Sequence, residues 1–253
     1  MPLTIIKNVW KYCIYNKKFF LLILFFMFVI SYIQDEVIPD VNYFQAAGLS
    51  IVTLILSLGY GMQITNDKIN KGTRLPKINL KKLFYLGIRA TFITLFFYAI
   101  QDIAFNLISA PLNFPDFDLG DLLLNLPETL SLLYSHSPKD SIIFICAGSV
   151  VFYVFTIFYE LSLAKIADYK SIFESLNVIS SVRCIQSIGW KKCIFHLTLI
   201  ILVMVLFGCL QYISVDKGIF DYIFSIFSFL LIFVTQFWGI GAIYSDIKDE
   251  MSN

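Results

Sequence analysis

Charged side chains are scarce in this sequence: they make up 15% of its 253 residues, whereas hydrophobic side chains make up 58%. A water-soluble domain carries about 25% charged residues, because its surface must be solvated. The 19 basic and 18 acidic residues nearly cancel, so the composition indicates neither a nucleic acid nor another polyanion as a partner. The mean hydropathy of +0.77 instead indicates a protein whose solvent is lipid.

The residues of a metal centre or a disulfide framework are also lacking. No two of the five cysteines have C-x-x-C spacing, and the two histidines, His136 and His196, fall in segments predicted on opposite sides of the membrane. The catalytic motifs G-x-S-x-G, H-E-x-x-H and the Walker loop do not occur. We therefore expect no cofactor, no metal ion and no enzymatic activity.

Long apolar runs are what the sequence does contain. A helix needs about 20 apolar residues to cross the hydrocarbon core of a bilayer. Five of the six runs reach this length, and the lysines before the shorter first run extend it towards the headgroups. The runs predict a single all-α integral membrane domain over residues 1–253, a bundle of six transmembrane helices. The predicted spans are residues 19–33, 44–64, 83–108, 141–163, 194–213 and 219–244.

Basic residues are concentrated on one side of these spans. Sixteen of the 19 lie before the first span, between the second and third, between the fourth and fifth, or after the sixth. Short loops rich in lysine and arginine remain in the cytoplasm. We therefore predict a multi-pass protein of the cell membrane with both termini cytoplasmic.

Three stretches between the spans have the spacing of amphipathic helices that lie along a membrane surface. The first covers residues 5–14, and the second opens at Ser171, which has capping-box spacing with Glu174. In the loop 109–140, leucines from 119 to 133 keep helical spacing, and we interpret them as a surface cover rather than a gating lid. The apolar stripe of the second stretch is Ile172, Leu176 and Ile179.

A weak internal repeat aligns the pair Lys17–Lys18 with the pair Lys191–Lys192. In each copy an amphipathic stretch leads into an outward-going span, and the following span ends in Gly-x-Gly, at residues 59–61 and 239–241. Both copies enter the membrane from the same side, so a duplication would be parallel.

Several different short motifs lie in or beside the predicted inner loops. They are Gly59-Tyr60, Lys71-Gly72, Leu75-Pro76, Phe84 with Gly87, Ala164 with Ala167, and Ile188-Gly189-Trp190. In these motifs the chain resembles the family catalogued as domain of unknown function 4013, polytopic membrane proteins found largely in archaea. The resemblance covers most of the chain and implies a six-helix membrane fold, but no reaction. The chain departs from the usual pattern at Gln63, at Ile100-Gln101 and at Cys193.

Ionisable residues within spans mark candidate sites, because each costs about 2.5 to 3.5 kcal/mol at the membrane centre. Arg89, Glu160 and His196 are predicted in one inner layer, where Arg89 and Glu160 would be able to pair across helices. The alternatives are that Arg89 extends to the headgroups, that Glu160 reaches Lys165, and that His196 bonds a backbone carbonyl. The other candidate positions are Gly59, Gly61, Pro76, Gly87 and Trp190, as packing or motif residues.

Two functions fit these patterns best. No acidic or basic residue is predicted at the bilayer middle, which is evidence against an ion-coupled carrier. We predict a non-enzymatic protein that organises membrane lipid, or a membrane or cytoplasmic partner protein, at its basic inner surface. The alternative is a facilitative channel or transporter of a small or amphipathic solute, with its conduit between the pseudo-repeats.

Overall fold

The structure is a computed structural model that describes residues 2–17, 21, 25, 29, 43–112, 138–213 and 219–252. The predicted first span, apart from three isolated positions, lies outside the described residues, and so do the leucine-rich stretch 119–133 and His136. Within the described ranges the chain is all-helical and contains no strand, which confirms the predicted fold class.

Eight α-helices occur in these ranges, and a 3-10 turn at Ala110–Leu112 follows the third. They are α1 (Pro2–Ile14), α2 (Tyr43–Ile69), α3 (Leu80–Ser109), α4 (Pro138–Ala167), α5 (Ile172–Leu176), α6 (Val178–Ile188), α7 (Trp190–Ile213) and α8 (Ile219–Ser252).

Four of these helices are long and apolar enough to cross a membrane, so the chain is a membrane protein. The segments are Gly48–Ile69, Leu80–Ser109, Lys139–Ala167 and Ile226–Met251. They confirm helices at the predicted second, third, fourth and sixth spans. The predicted fifth span lies in α7, whose part Trp190–Met204 is long and apolar enough together with α6, and the two helices meet at an angle of 98°. The bend falls at Gly189, whose φ of +85° is a conformation that glycine adopts readily.

Three of the helices continue beyond the predicted spans at the end that carries polar residues. Helix α2 continues to Ile69, α4 to Ala167 and α8 to Ser252, beyond the predicted ends at 64, 163 and 244. Hydropathy marks where the apolar part of a helix ends, whereas the backbone helix continues through polar residues whose side chains have partners. Asn66 is one of these residues, since its amide donates to the carbonyl of Ala167 at 2.7 Å.

The fold comprises two compact units. The first contains residues 1–91 and 161–253, and the second contains residues 92–160. Helices α3 and α4 each contribute residues to both units.

In the second unit, α3 and α4 pack through aromatic rings. The ring of Tyr159 meets that of Phe97 edge-on at 5.8 Å, and its hydroxyl lies 3.1 Å from that of Thr94. Phe105 and Phe144 form another edge-on pair at 6.2 Å. Such pairs contribute about 0.5 to 1.5 kcal/mol beyond the burial of their area.

In the first unit, α2 lies between α3 and α8 and approaches both closely. A side chain at Gly59 would strike the backbone carbonyl of Leu83 in α3, and one at Gly61 would strike the ring of Phe237 in α8. Residues two apart on a helix point about 200° away from each other, so one glycine faces each neighbour. The absence of a side chain at both positions therefore sets the spacing of three helices.

The directions of these helices follow from the same contacts. Gly87 of α3 lies against the carbonyl of Ile55, so α3 runs antiparallel to α2. Gly241 of α8 lies against the carbonyl of Thr65, so α8 runs parallel to α2. Helix α7 packs along α8 in the opposite direction, with the side chain of Ile200 filling the space beside Gly239.

Helix α1 confirms the predicted amphipathic helix, with Lys7 and Lys11 exposed. Within its apolar stripe, Val9 and Cys13 are buried by protein. The helix packs against α7 and α8. An apolar stripe is the same in sequence whether lipid or another helix covers it, so the position of α1 along the membrane surface stays a prediction.

The second amphipathic stretch is also only partly as predicted. Ser171 is the N-cap of α5, and its hydroxyl accepts from the backbone N–H of Glu174 at 3.1 Å, as expected. Ile179 of the predicted stripe is 65% exposed, whereas Cys184 and Ile185, which lie outside that stripe, are buried. A break at Asn177, the N-cap of α6, rotates the buried face between the two helices.

We expect Gly59→Ala and Gly87→Ala each to lower the free energy of unfolding by about 1 to 3 kcal/mol, because the new methyl group meets backbone that cannot yield. Gly48→Ala is the matched control, since its side chain would meet nothing within 4 Å. It should leave stability unchanged or raise it by up to about 1 kcal/mol through helix propensity. Unfolding of the detergent-solubilised protein measures all three. Equal effects at the three glycines would contradict the close crossing of α2 and α3.

Candidate functional site

Polar side chains of the first unit collect at one end of its helices. Helices α2, α4 and α8 end there, while α3 and α7 begin there. Ser245 of α8 donates to the carbonyl of Ile69 in α2 at 3.2 Å, and Lys192 of α7 lies 3.4 Å from Asp246 of α8. We call this region the polar cap and define it as α1, the loop of residues 70–79, α5 and α6, with the helix ends that they contact.

Asp67 joins α1, α2 and the loop within the polar cap. Its carboxylate accepts from the hydroxyl of Tyr12 at 2.7 Å, and its backbone carbonyl accepts from the N–H of Gly72 at 2.8 Å. A side chain at Gly72 would collide with the Asp67 carboxylate. The N–H of Leu75 in turn donates to the carbonyl of Tyr12 at 3.3 Å. The Lys71-Gly72 and Leu75-Pro76 motifs therefore shape the loop that rests on α1 and α2.

Gln63 and Tyr60 hold the second half of the same loop. The amide of Gln63 donates to the backbone carbonyl of Asn79 at 3.1 Å and accepts from its N–H at 3.1 Å. The hydroxyl of Tyr60 donates to the carbonyl of Pro76 at 3.2 Å. The paired amide bonds give Gln63 a structural role. Pro76 thus acts through its backbone carbonyl.

Lys165 is placed differently from the sequence prediction, which counted it among the cations of an inner loop. It lies in the last turn of α4 and is only 2% exposed. Its ammonium donates to the hydroxyl of Ser181 in α6 at 2.8 Å, and that hydroxyl donates to the carbonyl of Asn177 at 3.3 Å. Residues 160–167 are all buried, so this part of α4 has no exposed face whose period would have revealed the burial.

Arg89 is the centre of an exposed group of cations and aromatic rings. Its guanidinium donates to the hydroxyl of Tyr85 at 3.0 Å and to the carbonyl of Lys170, and it lies 5.0 Å from the Tyr85 ring. The rings of Tyr85 and Tyr169 stack at 6.5 Å, and the ammonium of Lys82 lies 5.7 Å from the Tyr169 ring. We call these residues the Arg89 cluster: Lys82, Tyr85, Arg89, Tyr169 and Lys170.

The remaining predicted site residues do not join this cluster. His196 is bonded through Nδ1 to the carbonyl of Lys192 at 2.7 Å, which confirms the backbone alternative. Trp190 begins α7 after the bend and is partly exposed. Glu160 is buried and belongs to the second unit, whereas Arg89 belongs to the first. The pairing of Arg89 with Glu160, and that of Glu160 with Lys165, stay predictions.

Sequence reasoning missed the bonds of Tyr12, Gln63 and Lys165. The signal for the first was available, because Gly72 stands in a motif and a glycine beside a tight turn indicates close backbone approach. For Lys165 there was only the presence of small residues just before it, at Ser162 and Ala164. Small residues permit close helix packing, but they do not identify which helix arrives.

The polar groups of the cap hold helices and loops in place. In the ranges that the structure covers, no group of three His, Cys, Asp or Glu side chains is arranged to hold a metal ion. Two groups in α1 are strongly perturbed. Burial raises the pKa of the Cys13 thiol to about 12, and burial together with the hydrogen bond to Asp67 raises the pKa of Tyr12 above its usual value.

A family model described as protein of unknown function (DUF4013) matches residues 46–215. The match confirms the resemblance found in the sequence motifs, and it spans Gln63, the Arg89 cluster and the Lys165–Ser181 pair. No curated protein and no solved structure matches the chain.

The raised pKa of Cys13 predicts alkaline destabilisation. Its ordinary value is 9.0 and its value in the folded protein is about 12, so the stabilising contribution is complete below pH 9 and is lost as the pH rises towards 12. Above pH 9 we expect the protein to lose up to about 1.4 kcal/mol of unfolding free energy per pH unit from this thiol. Cys13→Ala should remove that part of the decline. If the free energies of unfolding of wild type and variant decline equally between pH 8 and 11, this result would contradict the burial of the Cys13 thiol.

The buried Lys165–Ser181 pair predicts a non-additive response to mutation. Ser181→Ala leaves the ammonium buried without this acceptor and should cost about 1 to 3 kcal/mol of stability. Lys165→Met replaces the ammonium with an apolar side chain of similar length and should cost much less. The double variant should therefore be more stable than Ser181→Ala alone. Additive losses in a double-mutant cycle would show that the two side chains are not coupled.

Proposed function

The chain belongs to the DUF4013 family of proteins of unknown function, because the family model matches more than half of its length. We propose that it is a non-enzymatic protein of the cell membrane. In this proposal it organises lipid, or a partner protein, at the cytoplasmic face. The polar cap is the region that does so. The proposal rests on one observation: buried hydrogen bonds stabilise the cap internally, while most of its cations lie at the surface.

The internal bonds support a scaffold rather than a conduit. The polar side chains of Tyr12, Gln63, Asn66 and Lys165 are each bonded to another element of the cap. Loss of such a bond leaves a buried polar group without its partner, which costs about 1 to 3 kcal/mol of stability. Such groups favour one rigid arrangement of the helix ends, which suits a surface that holds other molecules.

The exposed cations support an acidic ligand or surface. Lys81, Lys82, Lys191 and Lys192 are exposed around the beginnings of α3 and α7. A lysine or arginine near an anionic leaflet contributes about 1 kcal/mol of attraction. Aromatic rings lie beside the cations: the ammonium of Lys68 lies 4.9 Å from the centre of the Trp238 ring. Cations and aromatic residues are both typical of a membrane interface.

We place the polar cap in the cytoplasm and propose six spans with both termini on that side. The positive-inside rule supports this placement, as does the position of α1 and the end of α8 within one region. The Gly-x-Gly motifs at 59–61 and 239–241 lie on the parallel neighbours α2 and α8. This pairing supports the parallel pseudo-repeat as a proposal.

Among the residues that the structure describes, Lys165 and Ser181 form a pair that resembles a catalytic dyad. A serine nucleophile activated by lysine needs an unprotonated amine and access for the substrate. Ser181 is 1% exposed, and its hydroxyl donates to the Asn177 carbonyl while it accepts from Lys165. These bonds suit a structural ammonium better than a general base.

Extraction into polymer discs that retain native lipid tests the proposal. We expect anionic phospholipids to be enriched around the protein relative to the surrounding membrane, and no solute flux after reconstitution into liposomes. A flux of a small solute that Arg89→Leu abolishes, with thermal stability unchanged, would contradict the scaffold role and favour the facilitative transporter. Absence of lipid enrichment would also count against the proposal.

A further inference from the structure

The Arg89 cluster has the composition of a phosphate-binding site at a membrane interface. Its three cations, with the carboxylate of Glu174 at 3.5 Å from Lys170, leave a net charge of +2. Arg89 offers five N–H donors, of which one bonds Tyr85 and another bonds the carbonyl of Lys170. Donors therefore remain on a guanidinium whose orientation is already fixed by two bonds.

The cluster is held in shape by both of its segments. Lys82, Tyr85 and Arg89 stand at i, i+3 and i+7 on α3, and these positions share one face of a helix. Tyr169 has a left-handed backbone with φ of 62°, and its N–H donates to the carbonyl of Ile166 at 3.0 Å. The N–H of Lys170 donates to the carbonyl of Lys165 at 2.9 Å. A ligand that meets this preorganised surface has little ordering to impose.

Exposed apolar side chains lie beside the cations. On α3, Phe84 is 48% exposed and Ile88 is 56% exposed, and they stand one turn apart next to the face that carries Tyr85 and Arg89. On α5, Phe173 is 87% exposed only three residues after Lys170. A soluble phosphate would gain nothing from these side chains. An acyl chain would cover them, at about 0.8 kcal/mol for each buried CH₂ group.

The depth of Arg89 favours a lipid as well. Arg89 lies seven residues beyond Lys82 along α3, about 10 Å at 1.5 Å per residue. A cation this far into an apolar helix is stabilised when a charged headgroup or water reaches it. The stacked tyrosines line the path between Lys82 and Arg89.

We propose that the Arg89 cluster binds the phosphate of an anionic phospholipid, with an acyl chain lying along Phe84 and Ile88. This inference rests on the proposed function and gives it a specific site and ligand class. Arg89 and Lys82 would contact the phosphate, and Tyr85 and Tyr169 would position the two cations.

Lipid titration of the delipidated, detergent-solubilised protein tests the site. Phosphatidylglycerol, phosphatidylcholine, glycerol phosphate and inorganic phosphate are compared by the rise in melting temperature and by native mass spectrometry. We expect phosphatidylglycerol to bind at least about fivefold more weakly to Lys82→Gln and to Arg89→Gln, the change that about 1 kcal/mol per cation corresponds to. Lys77→Gln is the matched control, because it removes one exposed charge from the loop 70–79 outside the cluster.

Each result bears on the inference. Equal weakening in Lys77→Gln and Lys82→Gln would indicate a diffuse basic surface and overturn the site. Protection by inorganic phosphate or glycerol phosphate as strong as that by phosphatidylglycerol would overturn the lipid as ligand. If native discs retain anionic lipid while cluster and control variants behave alike, the inference fails and the proposed function stands; if no anionic lipid is retained, both fail. Lys82→Gln decides the outcome if Arg89→Gln does not fold, because the Lys82 side chain bonds no backbone group in the cluster.

Discussion

The close approach of α2 to α3 and α8 is the constraint on which the first unit depends. Lipid is as apolar as leucine, so helices in a membrane gain little from the hydrophobic effect and associate through close packing and hydrogen bonds. Gly59 and Gly61 permit this on opposite sides of one helix. Thr65 adds a bond of 3.0 Å from its hydroxyl to the carbonyl of Phe237, which a wider separation of α2 and α8 would break. The three helix ends are therefore held at fixed positions, and the polar cap is built on them.

The polar cap follows from the cost of unpaired polar groups. The last carbonyls of a helix have no partner within it, and here side chains of neighbouring elements supply partners: Asn66 for Ala167, and Ser245 for Ile69. Such bonds connect helices that are distant in sequence. They also explain why polar residues continue α2 and α4 instead of ending them. The result is a rigid layer that leaves most of its cations at the surface.

The Arg89 cluster differs from the rest of the cap in one physical respect. Tyr12, Gln63 and Lys165 direct their polar atoms into the protein, whereas the cluster presents two tyrosine rings and three cations at the surface beside exposed apolar side chains. The combination of positive charge, aromatic faces and apolar surface matches an amphipathic anion. A scaffold with this feature would select the lipids around it instead of merely residing among them.

Sequence alone determined the all-helical class, four of the membrane-spanning helices, the family and the N-cap at Ser171, because apolar length, motifs and capping are local properties of the chain. It also indicated which glycines matter, although not what they face. Only the tertiary structure decided that the stripe of α1 is covered by helices, that Ile179 is exposed, and that Lys165 is buried against Ser181. The physical reason is that the environment of a side chain depends on elements far away in sequence. The sequence of an apolar stripe, or the presence of a lysine, is the same whether the neighbour in the folded protein is lipid, water or another helix.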